Sequence, residues 1–417
     1  MLRPWKACLP VCALLALVST TLADGVIING VSPRSIGRGG TNLGHFDNGG
    51  ILHDNPGAMT NIAGEGLFDL GFDLLITDFG YSDADGGDND SNVCPLPQVS
   101  YIRKSQDGVW AYGIGLFTPA GFSENYDLQA PTFGGEAHYK SFAALMKVLP
   151  GLSCQVTEEL SIGGTFGVGI CHAEVEGPYF LQGPNFLAGL PLLLDTQGTG
   201  ATPVWSLGAQ YLLTDSTTIG ATYTSASEFE LNGNTFVDLG PGGSARYDTE
   251  IDMTWPQSVG VGVRQELGCC RTVSADVIWY DWSSAFDQFE LTLTDPSNVF
   301  FPPSLQENFP LAWRDSVSVR LGYEQPIFSG TGRAGYVYHR SPVPDRTITP
   351  YIQATMEHAF STGYGWQYGD WEIDTAYMFL FGPARNVVDS DLLGGDFDNA
   401  RHSAYVHALS LSMIRRF

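Results

Sequence analysis

The sequence is poor in charged residues, and positive charge is especially scarce. Only 16% of its 417 residues are Asp, Glu, Lys or Arg, whereas soluble domains average about 25%. The 45 acidic residues outnumber the 20 basic ones and give a formal net charge of −25. A chain this acidic repels nucleic-acid phosphates, so we expect no nucleic acid among its partners.

Long hydrophobic runs are absent beyond the N-terminus. No later stretch approaches the ~20 consecutive apolar residues that a membrane-spanning helix needs. Residues 1–23 have the features of a secretory signal peptide: basic Arg3 and Lys6, a short apolar core, and a small-residue cleavage site ending at Ala23. A transmembrane anchor is the alternative, but the apolar run is too short to span a bilayer. We therefore expect an exported protein with no membrane-spanning helix.

Cysteines and catalytic motifs carry little information. Outside the signal peptide, Cys94, Cys154, Cys171 and the pair Cys269-Cys270 match no zinc or redox spacing. No metalloprotease helix motif, serine nucleophile elbow or phosphate-binding loop is present. Two acidic stretches raise the question of calcium, but neither ends in the glutamate of an EF-hand loop, which favours solvated loops. They contain Asp83, Asp85, Asp88 and Asp90, and Asp389, Asp391, Asp396 and Asp398. We expect no catalytic, cofactor or metal site.

The sequence does have a strong period of two. Near the start of the mature chain, Phe68, Leu70 and Phe72 alternate with Asp69 and Asp73. Two acids facing a dry core would be costly, whereas they cost little when they face a water-filled lumen. Apolar-out and polar-in alternation is the period of a membrane barrel strand. The sequence therefore predicts an all-β fold, a transmembrane antiparallel β-barrel.

Fourteen segments are predicted strands, an even number that brings both ends of the sheet to the periplasmic side. They are 67–78, 96–104, 109–118, 138–150, 159–174, 202–213, 216–230, 246–266, 272–286, 313–324, 331–341, 351–366, 370–382 and 402–417. Long loops are predicted at 79–95, 119–137, 175–201, 231–245, 287–312 and 383–401.

Three later segments are each predicted to present one apolar face to lipid. In 246–266 it holds Ile251, Met253, Trp255, Val259, Val261 and Val263; in 313–324 it holds Trp313, Val317, Val319, Leu321 and Tyr323; in 370–382 it holds Trp371, Ile373, Tyr377, Phe379 and Phe381. The opposite faces carry polar residues such as Asp252, Arg320 and Asp374 and are predicted to face the lumen.

Residues 24–63 lack this alternation and are rich in Gly, Asn and Ser. A soluble protein would leave such a segment as a disordered tail, whereas a barrel can fold it into its lumen as a plug. We predict an N-terminal hatch at 24–63, followed by the barrel at 64–417.

Several motifs resemble the FadL-type family of outer-membrane long-chain fatty-acid and hydrocarbon transporters. The hatch motif is Asn55-Pro56-Gly57-Ala58, in which Gly57 interrupts the family's Asn-Pro-Ala element. The other similar stretches span nearly the whole mature chain: Ser35 to Gly40, Gly113 to Gly121, Trp255-Pro256-Gln257-Ser258, Tyr280-Asp281-Trp282-Ser283, Trp313-Arg314-Asp315, Arg320 to Glu324, Arg333 to Tyr338 and Ser341 to Asp345.

The resemblance implies a fourteen-stranded barrel in a bacterial outer membrane, plugged by its own N-terminus. A hydrophobic ligand would land on an outer apolar groove and move to a tighter lumenal pocket. A hatch shift would then open a lateral passage at a kinked third strand. The family also suggests a monomer.

Three groups of residues are candidates for these roles. The apolar residues of segment 175–201 are either an outer ligand groove or a loop that packs on itself; they are Tyr179, Phe180, Leu181, Phe186, Leu187, Leu190, Leu192, Leu193 and Leu194. The candidates for a lateral gate are Gly113, Gly115, Pro119 and Gly121, and the alternative is that the glycines only relieve crowding. The candidates for binding a carboxylate headgroup are Arg264, Arg314, Arg320 and Arg333, followed by Lys140, Lys147, Arg34 and Arg38. The alternative is that these cations pair with lumenal acids.

The leading hypothesis is passive uptake of long-chain fatty acids or similar hydrophobic molecules, since no nucleotide-binding motif is present. The alternatives are uptake of aromatic hydrocarbons, a general water-filled porin, and an outer-membrane lipase or protease. The expected partners are the hydrophobic ligand and outer-membrane lipid.

Overall fold

The computed structural model describes residues 25–183, 186–394 and 397–417. The predicted signal peptide at 1–23 lies outside the described residues. Over the described ranges the strands form one antiparallel sheet that closes on itself, because the first long strand pairs with the last. The predicted all-β barrel is confirmed.

The described chain contains twenty strand segments and a few short helices. The strands are β1 (Gly66–Ser82), β2 (Gly87–Asp90), β3 (Val93–Lys104), β4 (Trp110–Ala130), β5 (Gly135–Gln155), β6 (Leu160–Phe180), β7 (Pro191–Thr214), β8 (Thr217–Thr224), β9 (Ser227–Asp238), β10 (Ser244–Trp255), β11 (Ser258–Leu267), β12 (Arg271–Tyr280), β13 (Gln288–Thr294), β14 (Ser304–Pro310), β15 (Ser316–Ile327), β16 (Gly330–Tyr338), β17 (His358–Tyr368), β18 (Trp371–Phe381), β19 (Arg385–Val387) and β20 (Ala400–Arg416). The helices are α1 (Pro33–Gly37), α2 (Ile51–Asp54) and α3 (Trp282–Ala285), with 3-10 turns at Pro56–Asn61, Pro131–Phe133, Gly240–Gly242 and Asp345–Thr347. None of the described helices is both long and apolar enough to cross a membrane.

The barrel wall has fourteen antiparallel strands across the described residues, as the sequence predicts. We call each of them a stave and count a wall strand that is interrupted into two segments as one stave. Ten staves are single strands, and four consist of two consecutive segments: β8 with β9, β10 with β11, β12 with β13, and β14 with β15. The seam between β1 and β20 runs in register from Leu67 opposite Arg416 to Ser82 opposite Arg401. The end of the barrel near Leu67 and Arg416 contains the short turns and the C-terminus, and we call it the lower end. The opposite end contains the long hairpins, and we call it the upper end.

Several predicted boundaries are wrong because the upper ends of the staves invert the expected polarity. Much of the predicted loops 119–137, 175–201, 231–245 and 287–312 is strand, in which apolar residues face inward and polar residues outward. The predicted strand 351–366 begins only at His358, and residues 339–357 before it fold into the lumen.

The lower half of the wall has the predicted membrane polarity. Leu70 and Phe72 on β1 are about half exposed on the outside, whereas Asp69 and Asp73 are buried on the inside. On β18 the side chain of Asp374 is fully buried on the lumenal face. An apolar exterior around a polar interior is the arrangement that a barrel in lipid requires.

Strand interruptions reverse this polarity in the upper half. Trp255 and Ser258 both point inward, because the break at Pro256-Gln257 shifts the alternation by one residue. The predicted single lipid face of 246–266 is therefore wrong: Ile251 and Met253 face the lumen, and the acids of β10 lie outside.

A similar break at 311–315, before β15, corrects two further predictions. Trp313 is buried inside the barrel rather than facing lipid. Arg314 is exposed rather than lumenal, because it precedes the strand. From Ser316 to Arg320 the inward face is as predicted.

Residues 25–63 lie inside the lumen and contact opposite walls. The Arg34 Nε donates to Asp374 at 2.7 Å, and Arg38 Nη1 donates to Asp47 at 2.9 Å and to Glu324 at 3.3 Å. Burial opposes the charging of Arg34, but Asp374 and Asp47 outweigh it and raise its pKa above the ordinary value. Burial would raise the pKa of Asp47, but the Arg38 guanidinium holds it well below its usual range. These ion pairs therefore persist over the physiological pH range.

The hatch motif docks on the facing wall, at β6 and β7. The Asn55 Nδ2 donates to Leu43 O at 2.8 Å and to Ala209 O at 3.0 Å, and the Asn55 Oδ1 accepts from Gly57 N at 3.2 Å. A Cβ added at Gly57 would lie 2.8 Å from backbone atoms of Gly208 and Ala209. The glycine that departs from the family pattern thus allows the hatch backbone to touch the wall.

We expect the two polarity zones to respond differently to the same charge. Val261→Arg, on the outward face in the apolar band, should destabilise the barrel by about 2–4 kcal/mol because it places a cation in hydrocarbon. Glu250→Arg, outward on the acidic upper zone of the same stave, should cost less than about 1 kcal/mol. Urea unfolding in lipid vesicles measures the free energy of unfolding of both variants. Equal losses of stability would contradict the division of the outer wall into an apolar band and an acidic upper zone.

A methyl group at Gly57 should loosen the hatch. Gly57→Ala forces the wall contact apart, at a cost of about 1–3 kcal/mol. Amide hydrogen exchange of residues 25–63 measures the loss, with Ala63→Val, an exposed hatch position, as the matched control. Unchanged exchange in Gly57→Ala would show that this contact does not hold the hatch.

Candidate functional site

The wall has a window between β3 and β4. These strands pair only from Val99 opposite Leu116 down to Lys104 opposite Ala111. Above Leu116, the pairing of β4 with β5 shifts register between Phe117 and Ala120. Residues 93–98 of β3 consequently have no strand partner on the β4 side within the described chain.

Acidic side chains close the wall again above this window. The Asp90 Oδ2 accepts from Asn125 N at 2.9 Å, and the Asp88 Oδ2 accepts from Asp127 N at 3.1 Å. The window is thus bounded below by the ladder at Val99 and above by these two bonds.

The β3 edge of the window lacks backbone N–H donors at two positions that face the opening. The Lys104 N–H donates to Glu65 O beside β1, so even-numbered residues of β3 point their N–H groups to β1 and odd-numbered residues point to the window. Pro95 and Pro97 are odd-numbered and have no N–H group. Proline is tolerated at such an edge, whereas an unpaired N–H facing lipid would be costly.

The N-terminal segment satisfies the other edge from inside the lumen. The Ile28 N–H donates to Pro119 O at 2.9 Å, and the Gly121 N–H donates to Val26 O at 3.2 Å. Ile27 forms a β-bridge with Ala120. Residues 26–28 therefore close the window as a short added strand.

A cavity of about 410 Å³ lies behind the window. We call it the gate chamber. Its walls are residues 25–29 and Ile36 of the hatch, both window edges, part of segment 339–357, and the inner faces of β1, β5, β18 and β20. Most of these side chains are apolar, including Leu75, Phe79, Phe122 and Met378. Its volume falls in the range of about 300–1,000 Å³ usual for small-molecule sites.

The predicted ligand groove lies on the β6–β7 hairpin rather than on a loop. Tyr179 and Phe180 end β6, and Leu192, Leu193 and Leu194 belong to the start of β7. The connecting segment contains Leu181, Phe186, Leu187 and Leu190. Leu181, Leu192 and Leu194 are buried toward the lumen, Tyr179, Phe180 and Leu187 are partly buried, and Phe186, Leu190 and Leu193 are exposed at the upper end.

This hairpin leads toward the gate chamber. Tyr179 and Leu194 line a smaller cavity of about 70 Å³, together with Phe309 and Tyr351. Phe122 and Phe142 line both this cavity and the gate chamber. The two cavities are therefore neighbours that meet at two phenylalanine side chains.

Residues 339–357 cross the upper lumen between these cavities. The Tyr351 hydroxyl donates to Pro178 O at 2.8 Å, and the Gln353 N–H donates to Glu124 Oε1 at 2.7 Å. The Ser141 hydroxyl donates to Tyr351 O at 2.5 Å. These bonds fix the segment against the strands that carry both cavities.

The four arginines proposed for a headgroup have different surroundings. Arg333 donates to Glu324 and Asp374 at 2.7 and 2.6 Å, and Arg264 pairs with Glu266 at 2.6 Å. Arg314 is exposed outside the lumen, as described above. Arg320 donates to Tyr280 Oη at 3.0 Å and lines a third cavity of about 80 Å³ below residues 26–28.

Lys147 lines this third cavity together with Arg320. Its side chain is only 7% exposed, and it makes no hydrogen bond or ion pair with any described residue. The cavity also contains Asp276, whose Oδ2 accepts from Asn42 N at 2.8 Å. A buried ammonium group without a partner is costly, so this position is suited to an anionic ligand group.

The gate candidates divide into two pairs. Gly113 and Gly115 lie in an unbroken ladder with β3 and β5, and a Cβ at Gly115 would lie 2.5 Å from the Phe117 ring. These two glycines relieve crowding and do not interrupt the wall. Pro119 and Gly121 lie at the register shift and bond to residues 26–28.

Sequence reasoning missed Pro95, Pro97 and Asn29. Two alternate prolines within a strand indicate an unpaired edge, so the Cys94-Pro95-Leu96-Pro97 stretch carried a usable signal. Asn29 had no such signal, because its role depends on where residues 26–28 dock.

Among described residues, one group of side chains lies close enough to share a metal ion. It consists of His45, Asp47 and Glu324. Arg38 already pairs with both carboxylates, at 2.9 and 3.3 Å. These residues are therefore accounted for by the hatch ion pairs.

Comparisons with known proteins agree with this architecture. The chain matches the model of the family described as "Outer membrane protein transport protein (OMPP1/FadL/TodX)" over residues 14–417. A comparison with curated protein sequences gives no match. Among solved structures, a Pseudomonas aeruginosa FadL homologue is 19% identical with a TM-score of 0.77, covering 94% of this chain and 100% of that one.

Two transporters named for toluene are similarly close in fold. The Pseudomonas putida toluene transporter TodX is 20% identical with a TM-score of 0.77, covering 95% of this chain and 100% of that one. The Ralstonia pickettii toluene transporter TbuX is 19% identical with a TM-score of 0.71, covering 93% and 99%. At these identities the structures show a shared fold. The family match over nearly the whole chain shows that this chain belongs to the OMPP1/FadL/TodX family of outer-membrane transport proteins.

Proposed function

We propose that this outer-membrane transport protein takes up long-chain fatty acids or similar hydrophobic molecules passively and releases them sideways through the window. The observation that carries the proposal is the apolar gate chamber directly behind an opening in the wall whose β4 edge is bonded by residues 26–28 of the hatch. A ligand released there would enter lipid without crossing the polar lower lumen.

The cavities support an ordered route. The exposed Phe186, Leu190 and Leu193 at the upper end would collect an apolar ligand from water. The ligand would pass Tyr179 and Leu194 and reach the gate chamber beside Phe122. Displacement of residues 26–28 would then open the window.

Lys147 favours a ligand with a carboxylate. Its cavity shares Ile27, Ile28 and Ala120 with the gate chamber, so a headgroup at Lys147 could have its acyl chain in the chamber. Binding would give the buried ammonium group the counter-ion that it lacks among the described residues.

A second candidate function is uptake of aromatic hydrocarbons. The gate chamber is lined mainly by apolar side chains and by no lysine or arginine of the described ranges. TodX and TbuX carry the name toluene transporter. A neutral hydrocarbon would use the chamber and the window without Lys147. A general porin is disfavoured, because residues 25–63 fill the lumen.

The headgroup assignment predicts a selective loss. Lys147→Met should weaken binding of a long-chain fatty acid by about 10- to 100-fold, the effect of losing a charged hydrogen bond, and leave an n-alkane unaffected. Displacement of a fluorescent lipid probe measures both ligands. The matched control is Lys140→Met, which removes a lysine of the same strand that pairs outside the lumen with Glu174. Equal losses for acid and alkane would favour the hydrocarbon function.

A reversible lock across the window tests lateral release. The Cys94 thiol on β3 lies within hydrogen-bonding reach of the Ser123 hydroxyl on β4, so Ser123→Cys should form a disulfide across the opening. The oxidised variant should lose at least about 90% of uptake, because a closed wall blocks exit into lipid, and a reductant should restore it.

The control for the lock is Ser123→Cys combined with Cys94→Ser, which has no partner thiol. Both proteins carry Ser at Cys154, Cys269 and Cys270 to limit other pairings. Normal uptake by the fully cross-linked protein would show that ligands leave by another path.

A further inference from the structure

We propose that the gate chamber holds a second ligand site, formed by Asn29 and Glu124, for uncharged hydrophobic molecules that carry an oxygen atom, such as long-chain alcohols. This inference rests on the proposed function, since it concerns which ligands the same chamber accepts. It adds a ligand class that neither Lys147 nor a purely apolar chamber would select.

Asn29 presents an unused amide to the chamber. Its side chain is only 1% exposed and lines the cavity directly after the window-closing residues 26–28. Neither its Nδ2 nor its Oδ1 has a hydrogen-bond partner among the described residues. A buried amide in this state loses its bonds to water without replacement, so a ligand that both donates and accepts would be bound favourably.

Glu124 presents an unused carboxyl oxygen to the same cavity. Its side chain is 1% exposed, and its Oε1 accepts the 2.7 Å bond from Gln353 N. The Oε2 has no partner within the described chain. One oxygen is therefore held by the backbone, and the other is available to a ligand.

The charges around the chamber favour a neutral ligand over an ion. Its titratable side chains are Asp73, Glu124, Cys94 and His339, and no lysine or arginine from the described ranges lines it. Glu124 is buried, and an ionised carboxylate without a nearby cation is costly to bury, so the chamber favours the neutral hydrogen-bonding form of this carboxyl group. A carboxylate ligand would meet acids in the gate chamber, whereas Lys147 and Arg320 line the neighbouring third cavity.

A hydroxyl group matches the hydrogen-bonding capacity of each of these two side chains. It donates one hydrogen bond and accepts others, and the amide and the carboxyl group each offer both functions. The apolar side chains around them, including Leu75 and Phe122, would contact the alkyl chain. An n-alkane fits the same chamber but leaves both polar groups unpaired.

Binding of three twelve-carbon ligands to the purified full-length protein tests the site. The ligands are dodecanol, dodecanoate and dodecane, each measured by displacement of a fluorescent lipid probe. Asn29→Leu, which keeps the side-chain size without the amide, should weaken dodecanol about tenfold, the effect of one to two buried hydrogen bonds. Dodecanoate and dodecane should change by less than about twofold.

Glu124→Gln provides a second variant that keeps the acceptor for Gln353 and hence the fold. It should retain dodecanol binding within about threefold, because a neutral amide also donates and accepts. Dodecylamine is measured as a fourth ligand. If Glu124→Gln loses binding of dodecylamine while dodecanol binding is unaffected in both Asn29→Leu and Glu124→Gln, the proposal is overturned and the chamber holds a cation site instead. Parallel losses for dodecanol and dodecane in Asn29→Leu would also overturn it.

Lys147→Met separates this inference from the proposed function. The inference predicts that dodecanol binding is unchanged in Lys147→Met while dodecanoate binding falls. If dodecanol binding depends on Lys147 and not on Asn29, the second site is wrong and the carboxylate pocket stands. If the protein with the cross-linked window takes up every ligand normally, the proposal of lateral release is wrong, whether or not Asn29 binds dodecanol.

Discussion

The structure depends on how backbone hydrogen bonds are satisfied at one interruption of the barrel wall. In hydrocarbon an unpaired backbone N–H or C=O costs several kcal/mol, so a barrel ordinarily tolerates no gap. Here one edge lacks N–H groups at Pro95 and Pro97, and the other is bonded by residues 26–28. The backbone groups at the opening are thereby satisfied when the hatch is docked, and the β4 edge depends on two backbone hydrogen bonds to residues 26–28.

The same constraint explains why the hatch is held so firmly elsewhere. Arg34 and Arg38 pair with acids of the wall and hatch on one side, and Asn55 bonds the backbone of β7 on the other. With both sides anchored, the proposed displacement of residues 26–28 from the window does not require the whole plug to leave the lumen. The upper half of the barrel is apolar inside and acidic outside, which is the polarity that our proposed route to the window requires.

The sequence predicted the fourteen staves, the exported barrel and the lumenal hatch, because alternation and the hatch motif are local signals. It failed where a tertiary effect decides the outcome. The polarity reversal at Pro256-Gln257 places Trp255 inside, and no single-face period shows this in advance. Lys147 was ranked below Arg333 by sequence, yet Arg333 is paired and Lys147 has no partner among the described residues. Such pairing depends on strands far apart in the chain.

The most direct test of the window is amide hydrogen exchange at Ile28 and Gly121 in the reconstituted protein, with and without saturating ligand. These two N–H groups make the bonds that close the opening. Our account predicts exchange at least about tenfold faster at both positions with ligand, while the β1–β20 seam, for example Leu74 opposite Leu409, is unchanged. Full protection of Ile28 and Gly121 during ligand uptake would contradict it.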